Sequence, residues 1–406
     1  MILPLDNRAG GSEARQMQNT TDVYRSLQKR IDELPIPFPQ AGNDVEIRLL
    51  RHLFTPQEAA VACELSALGE TIPKIYKRTK KKGLSYSQSE LKKLLHGLYK
   101  KGAITGGVEK TKHGLERTFS LLPLAIGMFE MQVDNLTEEY TRDFEEYLDN
   151  DFGKAILNKK TGQVRTIPVG SAISSANRVG SYDDIKKYVL QYPGPFGVMN
   201  CVCRQAKELL GEPCTHSDVR ETCLTLGEAA AGMKRRGNAR LVSKEEFLEL
   251  LKRAEDEGFV LQAKNVQEPT FICCCCGDCC EILTTAKKLP RPVEAFHTNY
   301  FAWVNDELCT GCGRCVGRCQ MDAISLTGPV SVSTGKATAR VDRDRCIGCG
   351  LCVPTCAAGS LSLVHTDKNA VPPRTSTLMY IKMYLERRGV LGTLLLGVKY
   401  LFSGRM

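Results

Sequence analysis

The spacing of apolar and polar positions changes character several times along the chain. A helix over roughly Thr21–Leu34 is expected first, followed by LPIPFPQ, whose prolines forbid helix and make a stiff connection. Thr55, Pro56 and Glu58 combine an N-cap, a first-turn proline and a capping-box acid, so a helix should begin there. Ser87 and Glu90 repeat the capping-box pattern, and Leu91, Leu94, Leu95 and Leu98 mark one apolar helix face after them. The period then shortens: ITGGVEKTKHGLERTFSLL reads as two short strands around a glycine-containing turn. Thr137 opens an acidic helix reaching residue 157, VRTIPVG reads as a strand, and another helix is expected near Asp183–Tyr192. Ser243 and Glu246 open a further capped helix, which Gly258 closes.

At 406 residues the chain exceeds one ordinary core. The expected fold class is α+β and multidomain. Residues 1–45 form a helix and Pro-rich linker. Residues 46–135 form a compact domain whose three helices and hairpin resemble a winged helix, with Ser87–Lys101 in the recognition-helix position and residues 104–121 as the wing. Residues 136–300 are expected as a mainly helical Cys-rich metal-binding domain, 301–366 as a separate Cys-rich module, and 367–406 as a linker and amphipathic helix.

Charge sharpens the second of these. Between Lys74 and Lys112 twelve Lys or Arg stand against Glu90 and Glu109, so this stretch carries essentially the whole net charge of +9. A lysine-rich helix and wing could track phosphates, which makes DNA a candidate partner. The basic residues are almost all Lys, however, with only Arg78 and Arg117 nearby, and Arg is the commonest base reader. A protein-docking surface is the alternative reading.

Cysteine decides the chemistry. Of 19 cysteines, Cys63 alone lies in the first 200 residues, and the other 18 lie between Cys201 and Cys356. The opening MILPLDNRAGG lacks the basic and apolar stretches of a secretory signal, so the expectation is a cytoplasmic protein whose reduced thiols bind metal. Cys309, Cys312, Cys315 and Cys319 are spaced C-x2-C-x2-C-x3-C, and Cys346, Cys349, Cys352 and Cys356 repeat it. The flanks repeat too, DELCTGCGRCVGRCQMDAISL against DRDRCIGCGLCVPTCAAGSLSL, an internal duplication offset by 37 residues. This arrangement resembles the bacterial-type ferredoxins with two [4Fe–4S] clusters, in which the fourth cysteine of each run ligates the other cluster. The resemblance implies that Cys309, Cys312, Cys315 and Cys356 hold one cluster and Cys346, Cys349, Cys352 and Cys319 the second. Gly311, Gly313, Gly348 and Gly350 leave room for tight loops. The proline that usually follows the fourth cysteine is replaced by Gln320 and Ala357, and the insert of residues 320–345 holds a hairpin candidate around Gly335.

Ten more cysteines form a second block: Cys201, Cys203, Cys214 and Cys223, then Cys273, Cys274, Cys275, Cys276, Cys279 and Cys280 in FICCCCGDCC. Four thiolates suffice for one zinc or one cubane, so either two centres exist or some thiols are spares. Adjacent cysteines in a strand point to opposite faces, so CCCC needs a sharp turn to converge on one ion. Over residues 50–365 the chain resembles iron–sulfur proteins of anaerobes that pair a CxCR…C…C block with a CCCCGxCC block ahead of the tandem module. In that pattern the position of Asp278 is often cysteine. A third iron–sulfur cluster in this block is the preferred expectation, with a structural zinc site as the alternative and a non-cubane or substrate-binding centre as a third. Arg204 could serve a cluster or anion, or a surface ion pair, and His216 and His297 are read as structural.

No phosphate loop, dinucleotide or flavin fingerprint is present, and no Ser/His/Asp set, so no catalytic residue is assigned. After Pro372 and Pro373 the longest charge-free stretch, Gly389–Val398, falls short of the roughly 20 residues that span a bilayer. Residues 378–403 read as an amphipathic helix that docks on a partner, lies on the inner face of a membrane, or folds back on its own core. The expected function is electron transfer with redox partner proteins, as a carrier or as a subunit of an oxidoreductase complex. The alternatives are a redox- or oxygen-sensing DNA-binding regulator and a reductase with its catalytic centre in residues 201–280.

Overall fold

The capping signals place the helices of the N-terminal half. In the computed structural model, which describes residues 22–112, 114–173, 183–328, 337–367 and 370–403, the chain forms two compact units. The first takes the chain up to Gln132, Thr137–Ile156 and the residues from Tyr384 on. It opens with helix α1 (22–32) and α2 (Val45–Leu53). Helix α3 (Pro56–Ala62) carries the expected capping box from Thr55 and Glu58, and α4 (Ile72–Lys81) follows. Helix α5 (Gln88–Lys100) is boxed by Ser87 and Glu90 and buries Leu91, Leu95 and Leu98. Strands β1 (Glu70–Thr71), β2 (Thr105–Thr111) and β3 (Gly114–Ser120) form an antiparallel sheet in the order β1-β3-β2.

The acidic segment after Thr137 was expected as one helix but forms two. Helix α6 (Glu138–Tyr147), capped by the Thr137 hydroxyl, breaks near Asn150, whose ψ of −119° is not helical, and α7 (Gly153–Leu157) resumes. Helix α6 packs on α2, where Arg48 donates to Asp143 at 2.8 Å and Glu146 at 2.6 Å.

The second unit contains Val133–Leu136 and Leu157–Met383. Its centre is an antiparallel sheet of six strands: β4 (Val164–Ile167), β5 (Phe196–Asn200), β6 (Glu221–Leu226), β7 (Arg240–Val242), β8 (Val260–Lys264) and β9 (Phe271–Cys275). Their order is β4-β8-β9-β6-β5-β7. Helices α8 (Ile185–Gln191), α9 (Val202–Leu209), α10 (Glu228–Arg236) and α11 (Lys244–Glu257) alternate with the strands, α11 capped by Ser243 and closed by Gly258 as expected. The expectation of a mainly helical middle region misses this sheet. Its strands are short, and β4 and the first four residues of β5 and β8 are buried throughout, so they lack the alternation that marks a half-exposed strand.

Helix α12 (Glu281–Lys287) leads into the tandem four-cysteine segment. There β10 (Tyr300–Val304) pairs with β13 (Leu361–His365), and β11 (Ile324–Thr327) with β12 (Thr338–Val341), around the short helix α13 (Arg314–Arg318). The hairpin tip expected at Gly335 lies outside the described residues. The last helix, α14 (Ser376–Ser403), is broken at Gly389, with φ of 70°. Arg387 donates to the Asp32 carboxylate at 2.6 Å and to Leu34 O at 2.7 Å, whereas Val390, Leu391, Leu394 and Leu395 are exposed. Among the described residues, no helix is long and apolar enough to cross a membrane.

Candidate metal centres

The internal duplication reappears in the tandem segment as matching sulfurs and matching amide–sulfur contacts. A cavity of about 330 Å³ is lined by Cys309, Cys312, Cys315 and Cys356. A second, of about 350 Å³, is lined by Cys319, Cys346, Cys349 and Cys352. The amides of Ala339 and Ala302 lie 3.4 Å from the sulfurs of Cys309 and Cys346. Those of Ala323 and Ser360 lie 3.3 Å from Cys319 and Cys356. Each cysteine and each amide in these contacts stands 37 residues from its counterpart, as the sequence repeat requires. The loops close only because glycine permits it. Gly311 and Gly348 have φ of 69° and 66°, and a Cβ there would sit 2.3 Å from Ala337 O and 2.2 Å from Tyr300 O.

Burial raises the thiols of Cys346 and Cys352 and pushes Cys349 up to about 12, while the Arg314 amide lowers the exposed Cys312. Buried thiols of this kind lose their protons to a bound metal rather than to water. Four sulfurs around an otherwise largely apolar cavity form a donor set that fits a cubane cluster.

The ten cysteines of the other block separate into three sets. Strand β9 alternates, so Cys273 and Cys275 share one face and Cys274 takes the other. Cys223 on β6 stands directly opposite Cys273. Cys201 precedes α9, Cys203 lies in its first turn, and Cys280 precedes α12. These elements bring six sulfurs into one neighbourhood, each acting on the protonation of the next, in the order Cys201, Cys203, Cys280, Cys275, Cys273 and Cys223. The neighbouring thiols hold Cys273 and Cys280 well below the usual thiol range and push Cys203 and Cys275 well above it.

Cys276 leaves the strand in a turn and joins a second set. Its sulfur lies 2.9 Å from Cys279 and 3.5 Å from Cys214, and Cys214 lies 3.4 Å from the Asp278 carboxylate. Arg204 is buried and directs its guanidinium at Cys214 (2.9 Å) and Cys276 (3.1 Å), with Phe259 beneath it, so it makes no surface ion pair. Cys274 belongs to neither set. It lines a cavity of about 230 Å³ with Val219, Leu224, Leu250, Ala254 and Phe259, and burial raises its thiol.

The two histidines make structural contacts: His216 donates to Glu257 O at 2.7 Å, and His297 accepts from the Gly162 amide at 2.6 Å. Gln320, in the place of the usual proline, accepts from the Gly277 amide at 2.7 Å and so ties the residue after Cys319 to the turn after Cys276. Sequence reasoning had no role for Gln320 and read Asp278 only as a missing cysteine. The departure from pattern at each position was the signal available.

Residues 308–360 match the family described as a 4Fe-4S dicluster domain. No curated protein and no solved structure matches the chain. The match assigns iron–sulfur clusters to this protein and electron transfer as their chemistry.

Proposed function

We propose that the protein is an electron carrier, or the electron-transfer subunit of a larger redox complex, that passes single electrons between partner proteins through three iron–sulfur clusters. Cys309, Cys312, Cys315 and Cys356 hold the first cluster, and Cys346, Cys349, Cys352 and Cys319 the second. The third draws its ligands from Cys201, Cys203, Cys223, Cys273, Cys275 and Cys280. The observation that carries the reading is the pair of cavities, each lined by three sulfurs of one run and the fourth of the other. Gln320 supports a continuous wire, because it joins the backbone beside Cys319 to the turn that follows strand β9. The exposed apolar residues of α14 after Gly389 suit a docking surface for a partner.

Iron and acid-labile sulfide counted on anaerobically purified full-length protein test it. About 12 iron atoms per chain are expected, four for each cubane, and about eight would remove the third cluster.

A second reading, a winged-helix regulator whose clusters gate DNA binding, rests on the exposed lysines Lys92 and Lys93 of α5 and Lys110 and Lys112 of the β2–β3 hairpin. The carrier reading expects weak duplex binding without sequence preference at physiological salt. Tight binding to one sequence, abolished by Lys92→Glu with Lys93→Glu, would favour the regulator.

A further inference from the structure

The second set of sulfurs has a geometry that a cubane cannot share. In a cubane each thiolate binds its own iron, so the four sulfurs stand well apart. Here the sulfurs of Cys214, Cys276 and Cys279 and a carboxylate oxygen of Asp278 all lie within 4.8 Å of one another. A single tetrahedral zinc with Zn–S bonds of about 2.3 Å places its sulfurs about 3.8 Å apart. The separations of 2.9 and 3.5 Å between sulfurs, and 3.4 Å from Cys214 to Asp278, sit at that scale.

The carboxylate is held as a ligand would be. Its Oδ2 accepts from the Thr215 amide at 2.8 Å, the Thr215 hydroxyl at 3.2 Å and the His216 amide at 3.1 Å, which leaves Oδ1 facing the sulfur of Cys214. Ligating carboxylates are commonly fixed in this way by a surrounding set of donors. Charge supplies an independent argument. Three thiolates and a carboxylate around a divalent ion leave a net charge of −2, and the buried Arg204 offsets half of it from 2.9 and 3.1 Å. Without such an anion, its guanidinium would be a buried cation facing neutral thiols, an arrangement that is costly.

We propose that Cys214, Cys276, Cys279 and Asp278 bind one zinc ion, separate from the six-sulfur string that takes the third cluster. The inference rests on the cluster reading above only in leaving these four donors free. Zinc has no redox chemistry in proteins, so the site would be structural. It would fasten the loop that carries Cys214 to the turn between β9 and α12, beside Gln320.

Elemental analysis and zinc-edge X-ray absorption on the anaerobically purified full-length protein decide the matter. One zinc per chain with three sulfur neighbours and one light-atom neighbour is expected. Asp278→Ala should weaken zinc binding by at least about 10-fold while iron stays at its wild-type value. Asp278→Cys should retain the ion and convert its surroundings to four sulfurs. Wild-type protein without zinc, or with zinc already bound by four sulfurs, overturns the proposal. So does Asp278→Ala losing iron instead of zinc, which would place a cluster on these residues. Failure of the cluster reading is separately visible, as an iron count of about eight with zinc present.

Discussion

The tandem segment and the block of residues 201–280 both gather cysteines, and they do so by opposite means. In the tandem segment the cysteines lie in a short stretch of chain that recurs 37 residues later, and both copies make the same amide–sulfur contacts. In the block, six sulfurs converge from two strands and from two helix starts, and three others from a loop and a turn. A repeated local motif fixes its own ligand sets. A set drawn from separate elements has neighbours decided by strand pairing, as when Cys223 meets Cys273 across β6 and β9.

Single substitutions should divide the two regions. Cys349→Ser is expected to remove about four iron atoms and one cluster spectrum, because its cavity has four sulfurs and no substitute. Cys223→Ser, at the end of a six-sulfur string with more donors than a cubane needs, should remove less than half as much. Equal iron losses by elemental analysis would mean that the string has no redundancy and that the contrast is wrong.

Backbone geometry gives the next largest effect. Gly348→Ala puts a methyl group 2.2 Å from Tyr300 O at a φ of 66°, so the loop must open. A cost of roughly 1–3 kcal/mol is expected from the conformation alone, with partial loss of the second cluster. Chemical denaturation with parallel iron determination measures both. Unchanged stability would show that the loop does not need glycine.

The smallest effect falls on neighbours in sequence. Cys274→Ala should cost about 1 kcal/mol or less, through lost packing against Leu224 and Phe259, and leave iron untouched. Iron loss equal to that of Cys273→Ala would place Cys274 among the ligands and contradict the alternation of β9.

Much of the N-terminal unit was legible beforehand because capping is local. Thr55 with Glu58 and Ser87 with Glu90 each act within one turn, and both boxes form as the sequence predicts. The six-stranded sheet was not legible. Strands such as Phe196–Asn200 are almost wholly buried, and FICCC carries cysteine where a strand would more often show valine or isoleucine.

What the sequence determined by itself was the chemistry: two four-cysteine runs with glycine between their ligands prescribe iron–sulfur clusters wherever the chain places them, because their spacing is set within a few residues. What only the tertiary structure decided was the sorting of the other ten cysteines. FICCCCGDCC divides Cys273 and Cys275 from Cys274 by the pleat of one strand, and sends Cys276 and Cys279 toward Cys214, some sixty residues away, by a turn. Alternation and turning are backbone properties, but which sulfur waits on each side depends on strands and loops that arrive from distant parts of the chain.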